Sequence, residues 1–114
     1  MTLKTLIIVP VHNEEKHLAG FIPQLKQECQ KIPADIVAIN DASTDRSTEI
    51  LREHGITVLS HTTQMGYGVT IQTGYKYALR NQYDHVIQVD GDGQHDPRCI
   101  HSILAELQQG GTDI

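Results

Sequence analysis

The sequence predicts an α/β fold in which a parallel sheet is flanked by helices. Two observations lead to it. Short apolar runs alternate with segments of helical periodicity along the 114 residues. The first run, residues 6–11, is apolar throughout, which is typical of a strand covered by helices on both faces. This Rossmann-like arrangement fits one domain, because a chain of this length can bury a core without dividing.

Four apolar runs are the predicted strands, and they are residues 6–11, 35–40, 56–60 and 85–89. Residues 110–114 resemble the first residues of a fifth strand. No repeat or linker interrupts the alternation of strands and helices.

The first two helices follow the first two strands. Apolar residues recur at helical spacing between positions 18 and 32, but Pro23 lies among them. The helix is therefore either kinked there or begins near Gly20. For the second helix, residues 43–45 are the predicted cap, and Gly55 is the predicted end.

The third helix is predicted from about residue 68 to residue 81. Its inward side chains are expected to be Ile71, Tyr75, Ala78 and Leu79. The fourth helix has the strongest signals, with Asp96 as its cap, Pro97 at its first position and a pair of glycines at 110–111. Its inward side chains are expected to be Ile100, Ile103, Leu104 and Leu107.

Polar clusters follow three of the predicted strands, at residues 11–14, 40–45 and 90–92. The carboxyl ends of parallel strands meet at one edge of the sheet, and ligands bind outside that edge, where the strand order reverses. We therefore expect these three loops to build one ligand site.

The third of these loops has the pattern of a metal site. Asp90 and Asp92 are two residues apart, so in extended chain both carboxylates point to the same side. With the amide oxygen of Gln94 they would offer the hard oxygen ligands that Mg²⁺ or Mn²⁺ prefers. The same residues would also suit a Gly-rich surface turn before a helix cap, so the motif alone leaves both alternatives open.

Composition excludes several classes of function. The net charge of −5 and the absence of a basic stripe argue against a nucleic-acid partner. Cys29 and Cys99 are isolated, which fits a reduced, cytoplasmic protein. Residues 1–5 do not form a signal peptide, no apolar run reaches membrane-spanning length, and the histidine spacings match no zinc signature.

The loop after the first strand excludes two common phosphate-binding motifs. Residues 10–15 contain no glycine, so they form neither a dinucleotide fingerprint nor a Gly-Lys phosphate loop. A nucleotidyltransferase, which would want a basic Gly-rich loop there, is disfavoured for the same reason. The charge of a diphosphate would have to be met by a metal ion instead.

Four motifs occur in order at residues 7–15, 40–45, 66–78 and 90–97. Together they resemble the amino-terminal half of a family 2 glycosyltransferase with the GT-A fold. The branch whose motif residues are most similar to these is that of bacterial enzymes like dolichyl-phosphate mannose synthase. These enzymes move a sugar from a nucleotide donor to a lipid phosphate. The resemblance covers essentially the whole chain.

The resemblance implies a role for the first two motifs. Pro10, Asn13 and Glu14 match the element that holds the nucleoside, with Glu14 accepting hydrogen bonds from ribose hydroxyls. Asp41 matches the acid that contacts the base, where it would accept from the N–H edge of uracil or guanine. A helix dipole also favours Glu14 in a first turn, and Asp41 and Asp45 are typical turn and capping acids.

The other two motifs are implied to meet the diphosphate. Asp90 and Asp92 match the Asp-x-Asp metal motif, Gln94 matches a further ligand, and Gly91 lies among the donor-binding residues. Gly66 and Gly68 match a Gly-rich turn where the backbone passes close to the nucleotide-diphosphate sugar. A simple helix entry would explain these two glycines equally well.

Some positions depart from the family pattern. Gln64 stands where an Asn is frequent, and Tyr67 stands where a Lys or Arg is frequent. This weakens any assignment of a phosphate-binding side chain at that turn. His12 lies between motif residues and could face the site, but we favour its interpretation as a solvated loop histidine.

The resemblance also implies what residues 1–114 lack. The acceptor-binding half and the carboxylate base of inverting transfer are expected beyond Ile114, so we assign no catalytic residue here and expect the isolated chain to be inactive. The acceptor implied by this branch is a polyprenyl phosphate, which would bring the full-length protein to the inner face of the membrane.

A different class of function is also open. A parallel sheet that stops after its fourth strand leaves an open edge, and such edges recruit partners. The chain would then be an inactive nucleotide-binding or assembly module, and a homodimer joined along that edge would cover it.

Overall fold

The computed structural model describes residues 4–31 and 34–90. They form a parallel sheet of four strands with the order β3-β2-β1-β4, confirming the predicted fold class. The strands are β1 (Thr5–Val11), β2 (Asp35–Asn40), β3 (Thr57–Ser60) and β4 (His85–Gln88). The chain runs outward from β1 to β3 and then returns to the other side of β1. The strand order therefore reverses between β1 and β4, where such sheets bind their ligands.

Three helices cover the two faces of the sheet: α1 (Glu15–Lys31), α2 (Ser47–Glu53) and α3 (Tyr67–Arg80). On one face, Ile7 and Val9 of β1 share a core cluster with side chains of α1 and α2. On the other face, Leu6 and Ile8 share a second cluster with Ala78 of α3. Because alternate side chains of a strand point to opposite faces, this explains why the first run is apolar throughout.

The first helix begins earlier than one of the two alternatives predicted. The carbonyl of Glu14 accepts hydrogen bonds from the N–H groups of His17 and Leu18, at 3.0 Å each, so the first turn is already closed there. Pro23 lies exposed inside the helix. A start near Gly20 is therefore wrong.

The second helix ends at the predicted place, but its N-cap position is Arg46, one residue after the predicted cap at 43–45. Asp45 accepts a hydrogen bond from the N–H of Ser47 at 2.9 Å, although the helix itself begins two residues after this carboxylate. Gly55 follows the helix with φ +73°, the left-handed conformation that ends helices and that glycine adopts without strain.

The third helix packs through a face that matches the predicted one only at Ala78, whose inward placement is confirmed. Its buried residues are Thr70, Gly74 and Ala78, while Tyr75 is 46% exposed and Leu79 is 79% exposed. The inward placement of Tyr75 and Leu79 is therefore wrong, and Ile71 is half-buried. The reason is steric, because a stripe of small residues lets the helix backbone approach the sheet more closely than large side chains would.

Several predictions fall outside the described residues. These are the fourth helix, the fifth strand and the state of Cys99. No helix in residues 4–31 and 34–90 is both long and apolar enough to cross a membrane. β3 and β4 are the edges of the described sheet, and a dimer along an open edge stays a prediction.

Candidate active site

A cleft lies at the carboxyl edge of the sheet, with a volume of about 240 Å³. Its walls come from the loops after β1, β2 and β4 and from the start of α3, as the position of the strand reversal predicts. Predicted site residues from all three polar loops meet there. The described residues that line it are Pro10, Val11, His12, Glu14, Asp41, Gln64, Gly66, Tyr67, Thr70 and Asp90.

Asn13 holds the loops together and does not line the cleft. It adopts a left-handed conformation with φ 53°. Its side-chain oxygen accepts hydrogen bonds from the N–H groups of Thr44 at 2.7 Å and Asp45 at 3.3 Å. Its own N–H donates to the hydroxyl of Ser43 at 3.0 Å. This asparagine therefore shapes the cleft by fixing the loop after β1 against the loop after β2.

Glu14 is half-buried and lies on the cleft wall. Its N–H donates to the hydroxyl of Ser47 at 2.9 Å, which anchors the start of α1 to the start of α2. Pro10 precedes it at the end of β1, where a residue without an N–H can be accommodated. The carboxylate is thus presented from a backbone that is fixed on both sides.

Asp41 is a buried carboxylate of the cleft, only 4% exposed, and three hydrogen bonds hold it. One oxygen accepts hydrogen bonds from the Nδ1 of His61 and the N–H of Met65, at 2.8 Å each. The other oxygen accepts from the N–H of Gly66 at 2.9 Å. Burial by itself would raise the pKa of Asp41, but these hydrogen bonds favour the charged form and together hold its pKa below the ordinary value.

His61 holds the cleft residue Asp41 in place without lining the cleft itself, and the sequence reasoning missed it. It follows β3 directly, and its imidazole bridges Asp41 and the hydroxyl of Thr73 on α3, which lies 2.8 Å from Nε2. A polar residue at the carboxyl end of a parallel strand lies at the ligand edge, so its position could have identified it.

His12 also differs from its interpretation as a solvated histidine, which is wrong. It is half-buried and lines the cleft, and its Nδ1 lies 2.6 Å from the carbonyl oxygen of Asp41. Because a carbonyl can only accept, Nδ1 carries the proton in this contact.

The two glycines of the turn before α3 are not equivalent. Gly66 has φ 94° and ψ 165°, a conformation that side-chain-bearing residues rarely adopt, whereas Gly68 lies inside the helix without positive φ. At either position an added Cβ would meet nothing within 4 Å. The turn therefore needs a glycine for its backbone only at Gly66.

We expect Gly66→Ala to lower the free energy of unfolding by about 1–3 kcal/mol through backbone strain. Gly68→Ala is the matched control, and it should leave folding unchanged or raise stability by up to about 1 kcal/mol, because alanine favours a helix. Urea denaturation of both variants checks this. Equal losses of stability would contradict it.

Asp90 lies two residues after the end of β4 and lines the cleft. The hydroxyl of Tyr67 donates to one of its carboxylate oxygens at 3.1 Å, and the side-chain amide of Gln88 in turn donates to that hydroxyl. Tyr67, at the position where the family pattern has a basic residue, is thus placed against the predicted metal-binding acid. Gly91, Asp92 and Gln94 lie outside the described residues.

Of the three predicted metal ligands, the described part of the chain contains Asp90 alone, and it contains no group of three metal-binding side chains. That fits Mg²⁺ or Mn²⁺ held by one or two carboxylates together with substrate phosphates.

A second cavity, of about 480 Å³, lies at the opposite, amino edge of the sheet. Asp35 and Thr57, the first residues of β2 and β3, line it together with Cys29. Burial is the main cause that raises the pKa of the Cys29 thiol to about 11, so it is not a nucleophile at neutral pH. None of the predicted site residues lines this cavity.

The sequence of this chain is similar to those of known glycosyltransferases. Residues 6–114 match the family model described as glycosyl transferase family 2. A curated relative, polyprenol monophosphomannose synthase of Mycolicibacterium smegmatis, is 25% identical over 115 residues, which cover 96% of this chain and 43% of the relative. The chain thus spans less than half the length of this relative.

Solved structures agree on the fold. S. aureus TarS 1-349 in complex with UDP-GlcNAc superposes with a TM-score of 0.73 and 23% identity, over 94% of this chain and 32% of that one. The mannosyltransferase PcManGT from Pyrobaculum calidifontis, in complex with GDP-Man and Mn²⁺, superposes with a TM-score of 0.64 and 20% identity, over 81% and 28%. The match of the family model to residues 6–114 shows that this chain belongs to glycosyl transferase family 2.

Proposed function

We propose that this chain is the donor-binding part of a metal-dependent, inverting glycosyltransferase that takes a UDP- or GDP-sugar. The observation that carries the proposal is the convergence of Glu14, Asp41 and Asp90 on one cleft. They come from three separate loops at the edge where a parallel sheet binds its ligands. Three acid side chains in one cleft suit hydroxyl and N–H donors and a metal ion.

Each of these residues has a function that its surroundings support. Asp41 is charged and fixed, so it can accept a hydrogen bond from a base that presents an N–H group. Glu14, next along the same wall, would accept from the ribose hydroxyls. Asp90 would ligate the metal, with Tyr67 orienting its carboxylate as an outer partner does for many metal ligands.

A divalent cation bound by Asp90, and by the proposed ligands Asp92 and Gln94, would neutralise the charge that develops on the departing nucleoside diphosphate. Gly91 and Gly66 would let the backbone approach the donor closely. None of the described residues is proposed as the general base. The relative that acts on a polyprenol supports a polyprenyl phosphate as acceptor, and we propose a cytoplasmic location at the inner face of the membrane.

Isothermal titration of UDP and of GDP into the purified chain tests the proposal. We expect at least one nucleotide to bind with Mn²⁺ and to bind much more weakly with EDTA. Asp90→Asn should weaken binding in Mn²⁺ by about tenfold or more, because it removes the charge on a metal ligand, and should leave binding in EDTA unchanged.

Asp35→Asn is the matched control. It removes the same charge at the opposite edge of the sheet, where Asp35 accepts a hydrogen bond from Tyr83 at 2.7 Å. This variant should bind like the parent chain in Mn²⁺. An Asp90→Asn variant that keeps full metal-dependent affinity would disprove the role of Asp90, and a folded chain that binds neither nucleotide would disprove the proposed function.

A further inference from the structure

The carboxylate of Asp41 has little capacity left for a ligand. An ionised carboxylate has roughly four positions that can accept hydrogen bonds, two on each oxygen. Oδ1 already accepts from His61 and Met65, and Oδ2 accepts from Gly66. One position therefore remains, and it is on Oδ2.

His61 is the side chain that occupies one of the two acceptor positions on Oδ1 of Asp41. Its imidazole is 13% exposed and fixed at both nitrogens, with Nδ1 2.8 Å from Oδ1 of Asp41 and Nε2 2.8 Å from the hydroxyl of Thr73. Its backbone N–H also donates to the carbonyl of Asn40 at 2.9 Å. The Nδ1 atom must carry a proton, because a carboxylate only accepts. The contact thus keeps Oδ1 occupied.

The bases of nucleotide sugars differ in the number of hydrogen-bond donors that they present to such a carboxylate. Uracil presents a single imide N–H, which one acceptor position satisfies. Guanine presents a ring N–H beside an amino group, and this pair is satisfied best by both oxygens of one carboxylate. A guanine N–H group left without a hydrogen-bond acceptor in a buried site would weaken nucleotide binding.

We propose that His61 makes this cleft selective for a uracil nucleotide by occupying the oxygen of Asp41 that guanine would need. This inference rests on the proposed function, in which Asp41 contacts the base. His61 acts through Asp41 and is therefore a positioning residue. The donor class that follows is a uridine diphosphate sugar.

The proposed selectivity can be tested by isothermal titration in the presence of Mn²⁺. UDP, GDP and CDP are each titrated into the parent chain, His61→Ala and His61→Asn. The parent chain should bind UDP about tenfold or more tightly than GDP. A guanine N–H group without an acceptor lowers the affinity by about that factor. CDP should be as weak as GDP, because cytosine has no imide N–H. The UDP-to-GDP ratio should fall several-fold in His61→Ala, in which Oδ1 is freed.

His61→Asn is the conservative variant, because its amide nitrogen lies where Nδ1 lies in histidine and can still donate to Oδ1. It should restore the parent ratio, and this selectivity is a readout that a purely structural role would not move. Thermal unfolding of both variants shows whether they fold, and if His61→Ala does not, His61→Gln, which lacks a donor at the Nδ1 position, takes its place.

The outcomes separate this inference from the proposed function. Metal-dependent binding that favours GDP, or that does not distinguish UDP from CDP, would overturn the inference and leave the donor-binding role standing. An unchanged UDP-to-GDP ratio in the variant without the Nδ1 donor would overturn the role of His61. A folded parent chain that binds none of the three would overturn both.

Discussion

Asp41→Ala should lower the free energy of unfolding by about 3 kcal/mol or more, because each buried donor left without an acceptor costs about 1–3 kcal/mol. The substitution removes the acceptor for three donors at once, those of His61, Met65 and Gly66. These donors belong to the segment that joins β3 to α3, so that segment would lose its anchor to β2. Urea denaturation measures the effect, and Asp41→Asn, which keeps one acceptor oxygen, should lose less.

Glu53→Ala is the control for this prediction. Glu53 is an exposed carboxylate whose ion pair with Arg46 spans 3.8 Å, and its loss should change stability by no more than about 1 kcal/mol. Equal effects of the Asp41 and Glu53 substitutions would contradict the prediction.

The carboxylate of Asp41 also makes the stability of the folded chain depend on pH. The pKa of Asp41 is lowered in the folded chain, so its contribution to stability is complete above the unfolded pKa of about 4 and is lost as the pH falls below that value. The parent chain should therefore lose stability on acidification more steeply than Asp41→Ala does.

Gly74→Val should lower the free energy of unfolding by about 3 kcal/mol or more, at the upper end of what overpacking costs. A Cβ at this position would lie 2.7 Å from both Cδ1 and Cγ2 of Ile8. Ile8 is fully buried in the centre of β1, so it has no room to move aside. The helix would have to lift from the sheet, which would also disturb the start of α3 at the cleft.

Gly20→Val is the matched control, because Gly20 also lies in a helix but a Cβ added there would meet nothing within 4 Å. Its effect on stability should stay within about 0.5 kcal/mol. A second check is the double variant with Ile8→Ala. It should cost less than the sum of the two single changes, since the smaller residue at position 8 leaves room for valine. Additive losses would show that the two residues do not compete for space.

The strands and the edge at which the site lies were predictable from the sequence, because both depend on local patterns. The apolar run at residues 6–11 became β1, and its continuity predicted helices on both faces. The three polar loops met in one cleft because parallel strands end at a common edge. Glu14, Asp41 and Asp90 needed no knowledge of side-chain packing to be placed there.

The contacts within the site were not predictable in this way. His61 meets Asp41 across 20 positions of the chain, and no local pattern records that pairing. Asn13 is directed to a neighbouring loop and not to the cleft, which depends on its left-handed backbone. Most of the inward face of α3 was missed because periodicity counts large apolar residues, whereas this helix packs through Thr70, Gly74 and the correctly predicted Ala78.

The ties between the first two polar loops have a consequence for how a ligand would be bound. Asp45 accepts hydrogen bonds from the N–H groups at the start of both α1 and α2, Glu15 at 3.2 Å and Ser47 at 2.9 Å. This wall of the cleft has therefore lost its conformational freedom during folding, before any nucleotide arrives. Binding against it would carry only a small entropic penalty, and a ligand of the wrong shape would be rejected instead of being accommodated.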